Sequence, residues 1–208
     1  MKKLWDISPP VDDTSPVFPG DTAYQQAWST RISASCPVNV SRMTLSPHVG
    51  AHADAPLHYA PEGLPAGALD LTPYLGPCRV IHVFDAGALI HPEHLQHALG
   101  HPPPRVLVRT YRHFPHHTFD AQLTAFAPDT ITLLADLGVR LIGIDSASVD
   151  PADSKALPSH QRLRERDIRV LENLWLDEVP PGDYELIALP LKLMTADASP
   201  VRAVLREL

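Results

Sequence analysis

The sequence is short of cysteine, of basic residues and of long apolar runs, and each shortage removes a class of function. Only two cysteines, Cys36 and Cys78, occur in 208 residues, with no CxxC spacing. Neither has neighbours that would make it a nucleophile, so both are read as buried or idle thiols. No segment approaches the roughly 18 consecutive apolar residues that span a bilayer. The start, MKKLWDISPP, carries two lysines but no apolar stretch behind them, which argues against a secretory signal. A cytoplasmic protein with reduced thiols is expected. Lysine and arginine number 17 against 24 acidic residues, a formal net charge of -7. With no basic patch along the chain, nucleic acid and anionic membranes are not expected partners. Glycine is scarce, at 10, beside 23 dispersed prolines, a balance that reads as many fixed turns rather than disorder. There is no internal repeat and no linker. A hydrophobic content of 44% over 208 residues suits one domain, 1–208, with a sizeable core.

What the chain does have is histidine, 12 in all, and four chemically useful groups crowd into one stretch. Residues 46–63 read SPHVGAHADAPLHYAPEG and contain His48, His52, Asp54 and His58. Imidazole and carboxylate together are the usual ligands of a catalytic Zn²⁺ or a similar divalent ion. Pro47, Gly50 and Pro56 argue against a helix here. An extended chain would point His48, Gly50, His52 and Asp54 to one side, because a strand has period two. Ala51, Ala53 and Ala55 would leave the other face small. Pro56 then turns the chain, so that His58 can fold back towards the same point. The competing reading, surface histidines in a histidine-rich protein, does not account for the alternation.

Around this stretch the pattern is that of an α/β protein. Residues 4–7 read as a short strand, followed by the polar loop VDDTSPVFPGD, in which local residues favour Phe18 as a loop anchor over a binding-site wall. Residues 24–33 and 39–46 suit an antiparallel pair. A strand at 79–84, a helix at 91–100 and a strand at 105–109 form a strand–helix–strand unit with parallel pairing. His113, His116 and His117 follow in what reads as a solvated loop. A helix at 128–137, with Asp129 or Thr130 as N-cap, precedes an aliphatic strand at 139–145. The run from Asp145 to Pro151 lies where such proteins often place chemistry, but a capping loop explains it equally well. A short helix at 159–166 carries His160, a strand at 168–171 ends beside Glu172, and further strands are expected at 185–192 and 201–205, with a loop at 193–199. Antiparallel strands early and strand–helix units later point to a single-domain mixed α/β fold.

Several blocks then bear a resemblance. HVGAHADAPLH resembles the HxGTHxDAPxH signature of the cyclase-like metal-dependent hydrolases, and PVFPGD resembles that family's substrate-side loop. GIDSASVDP, SKALPSH, VLENL and LPLKL with DASPVRAVL resemble, more narrowly, the bacterial kynurenine formamidases (arylformamidases). The likeness runs over nearly the whole chain. Ala51 departs from the Thr or Ser usual at its position, which is not a ligand in the family.

The resemblance implies a compact α/β fold with a mixed, barrel-like sheet and flanking helices, usually a homodimer. It implies two zinc ions per subunit: His48, His52 and Asp54 on the first, with Asp54 bridging to a second also held by His160 and Glu172. Nothing in the local sequence marks those last two as ligands. His58 matches the family's proton donor and acceptor, and Phe18 a position that contacts the aromatic substrate. The implied reaction is hydrolysis of N-formyl-L-kynurenine to L-kynurenine and formate, in tryptophan breakdown, by a metal-activated hydroxide. His58 would return a proton to the departing aromatic amine. Two alternatives stand beside it: a sister amide hydrolase opening isatin or a cyclic imide with a single metal, which would not need His160 and Glu172, and a zinc-binding protein without catalysis.

Overall fold

The computed structural model describes residues 2–208. In chain order the strands and helices are β1 (Leu4–Asp6), β2 (Gln25–Thr30), β3 (Val40–Thr44), β4 (His52–Asp54), β5 (Leu75–His82), β6 (Leu89–Ile90), α1 (Pro92–Leu99), β7 (Arg105–Arg109), β8 (Ala125–Phe126), α2 (Pro128–Asp136), β9 (Leu141–Ile144), α3 (Pro158–Arg166), β10 (Arg169–Glu172), β11 (Gly182–Ile187), β12 (Ala198–Pro200) and β13 (Val204–Glu207). Nine strands form one sheet, in the order β1-β13-β11-β5-β7-β9-β10-β4-β12. Its middle, β5-β7-β9-β10, is parallel. The flanks are antiparallel.

The parallel strands are aliphatic because both of their faces are covered. Side-chain alternation sorts them into two layers. Leu107, Leu141 and Leu171 face one cluster, inside the sheet. Val106, Val108, Ile142, Ile144 and Val170 face the other, where Leu95, Leu99, Ile131, Leu134 and Leu163 of the three helices pack. The inner cluster also takes Ile7, just past β1, and Ala53 of β4. Those residues lie near opposite ends of the sheet order, so the sheet is curled. This is the mixed, barrel-like α/β architecture with flanking helices that the sequence led us to expect. Among the described residues, no helix is long and apolar enough to cross a membrane.

Several local expectations need correction. Residues 48–54 are not one extended run. Only His52–Asp54 is strand; His48 lies in a turn, and Gly50 has φ +67°, a left-handed conformation in which glycine carries no Cβ penalty. The kink there breaks the period-two pattern. Helix α2 is capped by neither Asp129 nor Thr130. Its N-cap is Ala127, with Pro128 at the first helical position, where a missing N–H costs nothing. The segment read as a loop at 193–199 runs into strand β12, which pairs with β4, and the last strand begins at Val204 rather than 201.

The segment carrying His58 is a single 3₁₀ turn, Pro56–His58. Gly63 packs against it so closely that a Cβ there would lie 2.2 Å from the Pro56 carbonyl carbon and 2.3 Å from its oxygen. Gly63→Ala must therefore push backbone aside. We expect it to destabilise the fold by about 1–3 kcal/mol, read as a fall in Tm of about 2–4 °C per kcal/mol. An unchanged Tm would mean that this turn is free to move.

Candidate metal centre

Strand β4 runs between β10 and β12, and its register places His52 directly opposite Glu172. Opposed residues of an antiparallel pair share a face, and Asp54, two residues on, shares it too. The His52 Nε2 is 3.3 Å from Glu172 Oε2 and 3.4 Å from Asp54 Oδ1. His160 enters from the first turn of α3, its Nε2 3.3 Å from Asp54 Oδ2 and 3.7 Å from Glu172 Oε1. His48 closes the group from the turn before β4, with Nδ1 3.1 Å from Asp54 Oδ1. The four residues His52, Asp54, His160 and Glu172 are all buried.

The outward side of each ring is tied down. His52 Nδ1 donates to the Gly50 carbonyl at 2.9 Å. His160 Nδ1 donates to Asp150 Oδ2 at 2.7 Å, and the same carboxylate accepts the backbone N–H groups of Ser159 and His160. His48 Nε2 donates to Asp197 Oδ2 at 3.0 Å. Glu172 Oε1 accepts the Val149 N–H at 2.8 Å. The inward side is not satisfied. His52 Nε2, His160 Nε2 and both oxygens of Asp54 are buried without a hydrogen-bond partner. Each such atom costs about 1–3 kcal/mol if left so.

A divalent cation fits this arrangement. Two ligand atoms about 2.0–2.1 Å from one tetrahedral ion stand roughly 3.3–3.4 Å apart, and the inward separations of 3.1–3.7 Å bracket that spacing. Imidazoles braced through their far nitrogen by a carbonyl or carboxylate are the usual form of a metal-ligating histidine. The donors, nitrogen and oxygen without thiolate, suit Zn²⁺ and other first-row divalent ions.

Protons take the cation's role when no ion is bound. Burial alone would lower the His52 pKa, but Asp54 and Glu172 overcome it and push it up to about 10. Burial opposes His160 likewise, and Asp150 with Asp54 pushes it up to about 10. For Asp54, burial acts to raise the pKa, but His160, His48 and His52 hold it well below the usual carboxylate range.

The cluster opens into a cavity of about 480 Å³, which His48, His52, His58, His160 and Glu172 line together with Phe18, Tyr111, Phe114 and Phe119. His58 is exposed there, its ring 4.3 Å from that of His48 and 5.8 Å from that of His160. Its Nδ1 donates to Asp197 Oδ2 at 3.1 Å. Phe18 is 39% exposed and meets Phe119 edge-on at 5.1 Å. It forms part of the cavity wall, where the local sequence had favoured a plain anchor.

In the run from Asp145 to Pro151, Asp145 accepts from Thr110 N, Thr110 Oγ1 and Tyr111 N, tying the end of β9 to the segment after β7, and it also lines the cavity. Burial pushes its pKa up to about 6 against these bonds. His116 stacks on Trp175 and His117 meets Thr14, so neither joins the cluster. Asp150 lies in the run from Asp145 to Pro151, whose place after an aliphatic strand had marked it for chemistry, but no role was assigned to it. Sequence reasoning missed Asp197, whose only signal was its place within the block DASPVRAVL.

Residues 5–151 match a family model described as "Putative cyclase". This chain belongs to that cyclase family. Within it, a protein of Bordetella avium (strain 197N) named kynurenine formamidase is 65% identical over 208 residues, covering all of both chains. One of the same name from Delftia acidovorans is 65% identical over 207 residues, covering 100% of this chain and 99% of its own. Among solved structures, one titled as a predicted metal-dependent hydrolase from Bacillus stearothermophilus superposes with a TM-score of 0.85 at 28% identity, covering 100% of both chains. The family model ends before His160, Glu172 and Asp197; the two full-length relatives span them.

Metal-free protein at neutral pH lies below the values of about 10 for His52 and His160, so both rings are protonated and an ion must displace those protons. Zinc uptake near pH 7 should release protons, and apparent affinity should rise as pH rises towards 10. Calorimetry in buffers of differing ionisation enthalpy measures the release. Proton-neutral uptake would show that the ion binds elsewhere.

Proposed function

We propose that this chain is a kynurenine formamidase, hydrolysing N-formyl-L-kynurenine to L-kynurenine and formate in tryptophan breakdown. The observation that carries this reading is full-length identity of 65% with relatives bearing that name. A buried cluster of unpaired histidine and aspartate atoms beside an aromatic-walled cavity supplies chemistry that agrees with it. The whole chain acts as one hydrolase domain.

In this reading His48, His52 and Asp54 would hold one Zn²⁺, and Asp54, His160 and Glu172 would hold a second. Divalent ions so held would lower the pKa of a water and polarise the formyl carbonyl. The chain's own groups do the rest. Gly50 and Asp150 fix the tautomers of His52 and His160, so each presents a lone pair inward. His58 donates Nδ1–H to Asp197, which leaves Nε2 to take a proton and return it to the aromatic amine as the C–N bond breaks. Phe18 and Phe119 offer the aniline ring an apolar wall, with the edge contacts that aromatic groups favour.

The enzyme is cytoplasmic and works as a homodimer. Exposed Trp28 and Met43, which the register places on one face of the β2–β3 ribbon, support association with a second copy, since neighbouring exposed apolar side chains commonly mark an interface. Its partner in catalysis is the small-molecule substrate alone.

Purified protein should hydrolyse N-formyl-L-kynurenine, lose that activity on chelation and regain it with Zn²⁺, at two ions per chain. No turnover by folded, fully zinc-loaded protein would sink the substrate assignment. His58→Ala should retain its zinc and lose about 10²–10⁴-fold in kcat; loss of metal instead would make His58 a ligand. Phe18→Ala should raise KM more than it lowers kcat, and an unchanged KM would remove Phe18 from substrate binding.

A further inference from the structure

We infer that Asp197 is a positioning residue that joins the metal site to the proton shuttle, one carboxylate oxygen setting the tautomers of both His48 and His58. The inference rests on the reading of His48 as a ligand and His58 as the shuttle.

The backbone fixes where this carboxylate stands. Ala198 is paired with Asp54 across β12 and β4. The Ala55 N–H donates to the Asp197 carbonyl at 2.9 Å, and the Ala66 N–H donates to Ala196 at 2.9 Å. Asp197 is therefore held at the end of the ligand-bearing strand by hydrogen bonds of its own and both adjacent residues. Its Oδ2 accepts from His48 Nε2 at 3.0 Å and from His58 Nδ1 at 3.1 Å.

A carboxylate can only accept, so both ring nitrogens facing it must carry their protons. His48 then has its lone pair on Nδ1, the atom 3.1 Å from Asp54. His58 has its lone pair on Nε2. Gly50 and Asp150 give His52 and His160 the same kind of brace, but each of those braces serves one ring. Asp197 alone of the three also holds the shuttle. Loss of its oxygen would free two rings at once, one that binds and one that reacts.

The same three residues, His48, His58 and Asp197, offer ligand atoms close enough to hold a cation of their own. That arrangement would make Asp197 a ligand rather than a brace, and ion stoichiometry separates the two.

The test uses Asp197→Asn and Asp197→Ala in the full chain, with circular dichroism as a check on folding; the asparagine is isosteric, so it keeps the packing. Zinc affinity, measured by competition with a chromophoric chelator, should weaken roughly 10- to 100-fold at unchanged stoichiometry. At saturating zinc, kcat for N-formyl-L-kynurenine should fall about 10- to 100-fold with little change in KM. In a His58→Ala background the same substitution should still weaken zinc binding but add no further loss of kcat, because the two residues act as a unit. Unchanged zinc affinity, a kcat loss that adds fully to that of His58→Ala, or disappearance of a whole zinc equivalent would each overturn the inference. The zinc titration needs no substrate. A wild-type protein that binds zinc without hydrolysing the formamide would count against the proposed function and leave the affinity comparison to decide on Asp197.

Discussion

The structure is built around a concentration of polar atoms that the protein alone cannot satisfy. His52 Nε2, His160 Nε2 and the Asp54 carboxylate meet in the interior without hydrogen-bond partners. Polar groups in low dielectric are costly unless something compensates them, and here the compensation has to come from outside the chain. Everything nearby serves to hold those atoms in place. β4 lies inside the sheet between two partners, and alanines 51, 53 and 55 are buried in the inner cluster, where their small side chains let the strand sit close to the core. Asp150, Gly50 and Asp197 fix the far side of each imidazole.

Rigid and adaptable parts are divided accordingly. At the polar end of the cavity His52 and Glu172 come from strands and His160 from the first turn of a helix, elements that hold side chains within narrow limits, while His48 and His58 come from short turns and share the Asp197 brace. The aromatic end comes from loops: Phe18 stands in one, Phe114 and Phe119 in another. Loops tolerate substitution better than strands do. The aromatic wall can thus change without disturbing the buried histidine and carboxylate cluster.

Much of this was legible in the chain. Strict alternation in HAD foretold that His52 and Asp54 share a face. Aliphatic runs such as RVLVR and LIGI read as strands, and the strand–helix–strand unit at 79–109 carried the expectation of parallel pairing that β5 and β7 show. The extended run could not be extrapolated back to His48, because Gly50 adopts a positive φ and the chain kinks there. Glu172 and His160 carry no local mark. One ends a strand of four residues and the other follows Pro158 and Ser159 at a helix start, and only the likeness to a known family singled them out. Asp197 was lost because β12 is three residues long and lacks an alternating pattern, so it read as loop.

By itself the sequence determined which chemistry was available: imidazole and carboxylate without reactive thiols, in a charge balance unsuited to nucleic acid, on strands whose period is a property of the backbone. Only the tertiary structure decided which of those groups meet. Register between β4 and β10 set Glu172 opposite His52, and the packing of α3 brought His160 to Asp54. Pairing of β12 with β4 carried Asp197 to both His48 and His58. Pairing and packing depend on which surfaces bury one another across the whole chain, and no local window of sequence contains that information.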